Sequence, residues 1–269
     1  MKFSALLAVF RIGLAKAAEY RTVLLLTSFA APALNALIQG FLWTAVYHSS
    51  GKKELGTLTE HGMVAYCICA ALCYAFTGAS RNVREASEDI RSGGLNKFLL
   101  RPVAHDLYTL AAALAEKVPI VFIMCLLFTG LTFLLPTGAV TTDMIPIMMA
   151  VFLMICGFLI RFFIGLSVSY LAFWLEEVWT FHVIIDISLW FLSGMLVPIS
   201  ILPQQVQSIV TLLPFQFMSF APASALTGQL SPSYYMQYMV LGVMWVCILW
   251  ALCRYLWWRG VVRFGAYGG

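Results

Sequence analysis

Apolar residues run along this chain in long stretches separated by short polar ones, and stretches near the roughly 20 residues that cross a bilayer predict membrane-spanning helices. The first runs from Val23 to Tyr47, and the next from about Gly62 to Ala79, Leu110 to Leu135 and Ile145 to Trp174. A fifth covers about Val178 to Val197 and a sixth about Tyr234 to Trp258. The sixth carries Tyr234, Tyr235 and Tyr238 at one end and Tyr255, Trp257 and Trp258 at the other, the pattern of interfacial aromatic belts. The expected fold is an all-α integral membrane protein, one transmembrane domain over residues 1–269. Pro32 and Asn35 in the first span require neighbouring helices to cover them.

Two segments depart from the spanning pattern. At the start, Phe3, Leu6, Leu7, Phe10 and Leu14 form one stripe with Lys16 and Glu19 opposite. That predicts an amphipathic helix lying in the membrane interface, although Lys2 followed by an apolar run and small residues near Ala15 also resembles a signal peptide. Between the fifth and sixth spans, Pro198, Pro203, Pro214, Pro222 and Pro232 interrupt an apolar segment too often for one helix. Short amphipathic or re-entrant helices on the outer side are expected there, covered by protein or facing a water-filled cavity.

The longest polar loop lies between the second and third spans. In Ser80 to Arg91, Val83, Ala86 and Ile90 recur on one helical face, with Arg84 and Glu88 spaced to pair on the other. Gly93 and Gly94 end this short helix, and Leu95, Phe98 and Leu99 form a second apolar face before Pro102. Such a segment suits either a solvated hairpin or a docking element, in which charges orient a partner and a few apolar anchors supply affinity.

Composition fits lipid as the solvent: 62% of residues are hydrophobic, 10% are charged, and mean hydropathy is +0.90. The net charge of +4 matters less than its distribution. Lys2, Arg11, Lys16, Arg21, Arg81, Arg84, Arg91, Lys97, Arg101, Arg254, Arg259 and Arg263 fall on one side of the six spans, against Lys52 and Lys53 on the other. The positive-inside rule therefore assigns both termini and the Ser80 to Asp106 loop to the cytoplasm. Basic residues form no nucleic-acid patch, and the 7 cysteines sit in apolar runs without Cys-x-x-Cys spacing, so neither nucleic acid nor a metal is expected as a ligand.

Charged groups inside spans are costly and are functional candidates. Arg161 lies within the fourth span, while His182 and Asp186 share one face of the fifth at i,i+4. An Arg161–Asp186 pair would fix helix packing if the two helices are neighbours. Alternatively, Arg161 would line a pathway for a polar or anionic substrate, or Asp186 and His182 would relay protons in an ion-coupled carrier. Glu176 and Glu177 occupy the turn between the two spans.

The polar loop reads Ser87, Glu88, Asp89, Ile90, Arg91, Ser92, Gly93, Leu95, Lys97, Leu99, Leu100, Arg101, Pro102. The later half has Ser193, Gly194, Pro198, Pro203, Leu213, Pro214 and Phe215, with Pro222 and Gly228 beyond, and "AFW" at Ala172 to Trp174. In these motifs the chain resembles the six-span permeases of ABC-2 type ATP-binding cassette exporters, a bacterial group, along essentially its whole length. The resemblance implies a coupling helix in Glu85 to Arg91, with Arg84, Glu85, Glu88, Asp89, Ile90, Arg91, Leu95 and Phe98 at the interface with an ATPase. It gives Gly93, Pro102, Ser193, Gly194, Pro198, Pro203, Pro214 and Phe215 structural roles.

The chain has no G-x-x-x-x-G-K-[ST] segment, so ATP and Mg would be bound by that separate P-loop subunit, in two copies. No cofactor is expected in this chain itself. One six-span subunit walls half a pathway, which implies a second copy or a related permease in a bacterial inner (plasma) membrane. Export of a hydrophobic or amphipathic compound (a drug, a lipid-like metabolite or a peptide) is the implied function. The rivals are an ion-coupled carrier acting through Asp186 and His182 and a non-transporting membrane anchor.

Overall fold

The computed structural model describes residues 2–19, 26–51, 54–55, 58–99, 104–134 and 138–264. Arg21, Lys52, Lys53, Leu100, Arg101 and Pro102, singled out above, lie outside these, as do the side chains of Lys2, Phe3, Lys16, Lys97 and Leu99. Eleven α-helices carry the described fold: α1 (Lys2–Glu19), α2 (Ala31–Ser50), α3 (Glu60–Thr77), α4 (Arg81–Arg91), α5 (Asn96–Leu99), α6 (His105–Leu134), α7 (Met144–Tyr170), α8 (Trp179–Leu192), α9 (Gln204–Val210), α10 (Phe220–Leu226) and α11 (Tyr235–Val261). A two-residue hairpin ladder, Glu54–Leu55 with Leu58–Thr59, is the sheet found among the described residues.

Among the described residues, four stretches are long and apolar enough to cross a membrane: Glu60–Arg91, His105–Phe133, Met144–Phe173 and Pro232–Val261. The first of these bends at Gly78, where α3 gives way to α4. α2 has 20 residues diluted by Asn35 and Gln39, and the apolar α8 has only 14, among them His182 and Asp186. Pro32 falls in the first turn of α2, where its missing N–H is harmless, after a π-helical segment, Leu26–Ala30.

α7 is the hub. It is the most apolar helix and packs against α3, α4, α10 and α11. Small residues permit this: a Cβ at Gly242 of α11 would meet Cys156 Sγ at 3.3 Å, and one at Gly165 would meet Val83 Cγ1 of α4 at 2.9 Å. α1 lies along α6, with Gly13 so close to Ala115 that a Cβ there would stand 2.6 Å from the Ala115 Cβ.

The proline-rich segment folds back into the bundle. Pro198 and Pro203 precede short helical turns, Ile199–Ile201 and α9, and Pro214 opens a 3-10 turn, Pro214–Met218, that leads into α10. Each proline stands at or next to a helix start, where its fixed φ is compatible and no N–H is needed. Phe217, Met218, Ala221, Ala223 and Ala225 are fully buried between α3 and α7. Gly157 of α7 makes room, since a Cβ there would lie 2.1 Å from the Phe217 carbonyl oxygen.

Buried hydrogen bonds fix the depth of this segment along α3. Tyr66 Oη donates to Gly194 O at 2.7 Å, Ser219 Oγ to Ala70 O at 3.1 Å, and Thr77 Oγ1 to Met218 O at 3.0 Å. Tyr66 and Thr77 are about 16 Å apart at 1.5 Å per residue, so the segment follows most of α3. Gly194 adopts φ +79°, and a Cβ there would also meet Phe220 Cβ at 2.7 Å, which explains glycine after Ser193 where α8 ends.

Candidate functional site

The charged side chains converge on α4. Its apolar face, Val83, Ala86, Ser87 and Ile90, is buried against the spans, while Arg81, Arg84, Glu88 and Arg91 form an exposed stripe. Glu85 and Asp89 flank that stripe half-buried. Ile90, Leu95 and Phe98, expected at a partner interface, are instead inside the chain's own core: α4 has one apolar face, and the bundle uses it. The expected Arg84–Glu88 pairing is also replaced, because Arg81 Nε takes Glu85 at 2.8 Å and Arg84 reaches Asp186 of α8.

Asp186 accepts from two guanidinium groups. Arg84 Nη2 lies 2.6 Å from Oδ2, and Arg161 Nη2 of α7 binds Oδ1. The Arg161–Asp186 pair foreseen from the sequence is therefore present, extended by a third group from the polar loop. The partners differ in exposure: the Arg161 side chain is 4% exposed and that of Arg84 49%. In low dielectric the buried guanidinium depends on its carboxylate far more than the solvated one does.

His182, one turn before Asp186, is also committed. Ser169 Oγ donates to Val83 O at 2.6 Å and contacts His182 Nε2 at 3.1 Å. A hydroxyl has one proton, so His182 donates from Nε2 and Ser169 passes the chain on to the backbone of α4. Glycine at 165 completes the cradle by admitting Val83. A small cleft between the α3–α4 bend, Arg84, Phe158, Arg161 and His182 remains, and Arg161 Nη1 has no hydrogen-bond partner among the described residues.

Two residues that sequence reasoning passed over, Glu116 and Lys117 of α6, grip the bend itself. Lys117 Nζ donates to Gly78 O at 2.8 Å; Glu116 accepts from Ser80 Oγ at 2.6 Å and from Asn82 Nδ2. An adjacent acid and base inside an otherwise apolar run was the available signal.

The turn after α4 uses Gly93 at φ +76°, and Leu95 N reaches back to Asp89 O at 3.0 Å. Beyond it α6 begins at His105, five residues ahead of the expected start at Leu110. The His105 ring stacks on Trp257 at 4.9 Å and 10°, meets Phe98 edge-on at 4.8 Å, and bonds Tyr170 Oη through Nδ1 at 2.9 Å. Arg254 and Asp106 pair beside it at 3.4 Å. The end of α11 is thereby tied to the segment that follows α4. Among the described residues, no group of three His, Cys, Asp or Glu side chains is placed to hold a metal ion.

A helical membrane bundle with a short polar helix cradled at one end is the architecture on which the comparison with known families bears. The model of the family described as ABC-2 family transporter protein matches residues 33–268. The chain belongs to this ABC-2 family. Members are the permease components of ABC transporters, and a separate component supplies the ATPase. No curated protein matches the sequence.

Proposed function

We propose that the chain is the membrane half of an ATP-driven exporter and that α4 is its coupling helix. The observation that carries this is the division of α4 into a face held by α6 and α7 and a charged stripe, Arg81, Arg84, Glu88 and Arg91, that is exposed among the described residues and from which Arg84 also reaches Asp186 of α8. A helix that must receive force needs both: a polar surface to meet a partner and stiff attachments behind it. The stripe carries both signs, so complementary charges on the ATPase would set its register. Glu85, Asp89 and the preceding Asn82 would line the rim.

On this reading the termini and the α4 loop face the cytoplasm of a bacterial inner membrane, as the distribution of Lys and Arg supports. Two permease copies, or this chain with a related one, enclose the pathway, and two ATPase copies bind beneath. Closure of the ATPase pair displaces α4 and drives the spans between inward-facing and outward-facing states, moving a hydrophobic or amphipathic compound outward. Asp186 and His182 serve here as attachments of α4: the carboxylate is shared by two arginines and the imidazole is bonded to Ser169.

Purification of the chain from its native membrane tests this. A P-loop ATPase is expected to co-purify, and charge reversal at Glu88 and Arg91 together (Glu88→Lys, Arg91→Glu) is expected to release it while the permease remains folded. Uptake into inverted vesicles, the equivalent of export from the cell, should need ATP and persist when the proton gradient is collapsed. Transport that ignores ATP and stops with the gradient would transfer the function to an ion-coupled carrier.

A further inference from the structure

From the grip of α6 on the α3–α4 bend we infer that Glu116 and Lys117 are positioning residues for coupling: they make the end of α3, the coupling helix and the buried tip at Met218 move as one body. This rests on the permease reading above.

The bend is a three-residue joint, Gly78 to Ser80, between two helices whose ends would otherwise be loose. Helix α3 ends there with unsatisfied carbonyls and partial negative charge, and α4 begins there with unsatisfied N–H groups and partial positive charge. Lys117 places a cation on the first and Glu116 a carboxylate beside the second, each matching the local dipole. Ser80, the residue before α4, spends its hydroxyl on Glu116 rather than on capping its own helix, so the α4 start is fastened to α6. Lys117 is 6% exposed and lies 5.9 Å from the Phe158 ring of α7, wedged between helices. Charges within a span are costly, and here the buried Lys117 and half-buried Glu116 are both spent on the joint, beside a cleft lined by Arg84 and Arg161.

The joint also meets the proline-rich segment. The hydroxyl of Thr77, the last residue of α3, lies 3.0 Å from Met218 O and 3.1 Å from Cys73 O of its own helix, and the neighbouring Phe217 carbonyl sits in the notch left by Gly157. A displacement of α4 about a soft bend would dissipate at Gly78. About a clamped bend it reaches Met218, and through it the proline-rich segment packed between α3 and α7.

Hydrogen exchange on the chain in lipid nanodiscs, followed by transport and hydrolysis by the complex with its ATPase, tests the inference. Lys117→Met and the milder Asn82→Ala are expected to speed exchange of the hydrogen-bonded α4 amides that follow its first turn about tenfold, the scale of one lost hydrogen bond to a charged group, with α7 unchanged. In the complex, Lys117→Met is expected to leave ATP hydrolysis near wild type and to reduce substrate moved per ATP at least fivefold. Unaltered exchange in both variants would refute the clamp. Faster exchange with undiminished transport per ATP would refute the coupling role and leave a structural one. A wild-type chain that binds no ATPase would refute the permease reading while the exchange result still judged the clamp.

Discussion

Arg84 of α4 and Asp186 of α8 meet at 2.6 Å across 102 positions of sequence, and Arg161 of α7 holds the other oxygen of the same carboxylate. One acidic side chain thus joins the polar loop to α7 and α8. The two arms are unequal, because one guanidinium is buried and the other is half in solvent.

That inequality predicts unequal losses. Asp186→Ala strands a buried cation and is expected to cost about 3 kcal/mol, whereas Arg84→Gln is expected to cost at most about 1 kcal/mol. Chemical denaturation of the purified chain in mild detergent measures both. Equal losses would show that Arg161 does not depend on Asp186.

Glycine positions separate packing from flexibility. Gly157→Ala sets a Cβ against the Phe217 backbone oxygen, which no rotamer change relieves, and is expected to abolish folded yield. Gly130→Ala meets nothing within 4 Å and is expected to be neutral or slightly stabilising. Size-exclusion profiles of the two variants give the comparison.

Gly165→Val is a subtler case, since its side chain would press on Val83 and push α4 away from α7. Overpacking of about 1–3 kcal/mol is expected, and a second change, Val83→Ala, should recover most of it. Failure of the double variant to recover would place the strain elsewhere.

Tyr66→Phe removes the hydroxyl that holds Gly194 O and leaves a buried carbonyl without that donor. The expected cost is about 1–3 kcal/mol, with proteolysis appearing first in the proline-rich segment whose start it anchors. Gly194→Ala is expected to be worse, because it adds a left-handed φ and a 2.7 Å contact to the same site.

Much of this was legible in the chain itself. Local hydrophobic pattern specified the helices, including the face of α4 that Val83, Ala86 and Ile90 bury and the interruption of the segment after Val197, because burial of one face repeats with the helical period. The loop motif and the Ser-Gly-Pro run pointed to the family that residues 33–268 match. The Arg161–Asp186 pair was one of the alternatives the sequence left open, beside a substrate pathway and a proton relay, and it hung on whether the two helices are neighbours.

Tertiary structure alone decided what each exposed or buried group meets. The pattern marks Ile90, Leu95 and Phe98 as apolar but is silent on whether a partner or the bundle covers them, and the bundle does. Arg84 had a plausible neighbour at Glu88 and took Asp186 instead. Glu116 and Lys117 look like a self-contained pair until the α3–α4 bend is folded beside them. The reason is physical: periodicity records how much of a side chain leaves water, a property of its own helix, whereas pairing depends on the distance between elements that only close packing brings together.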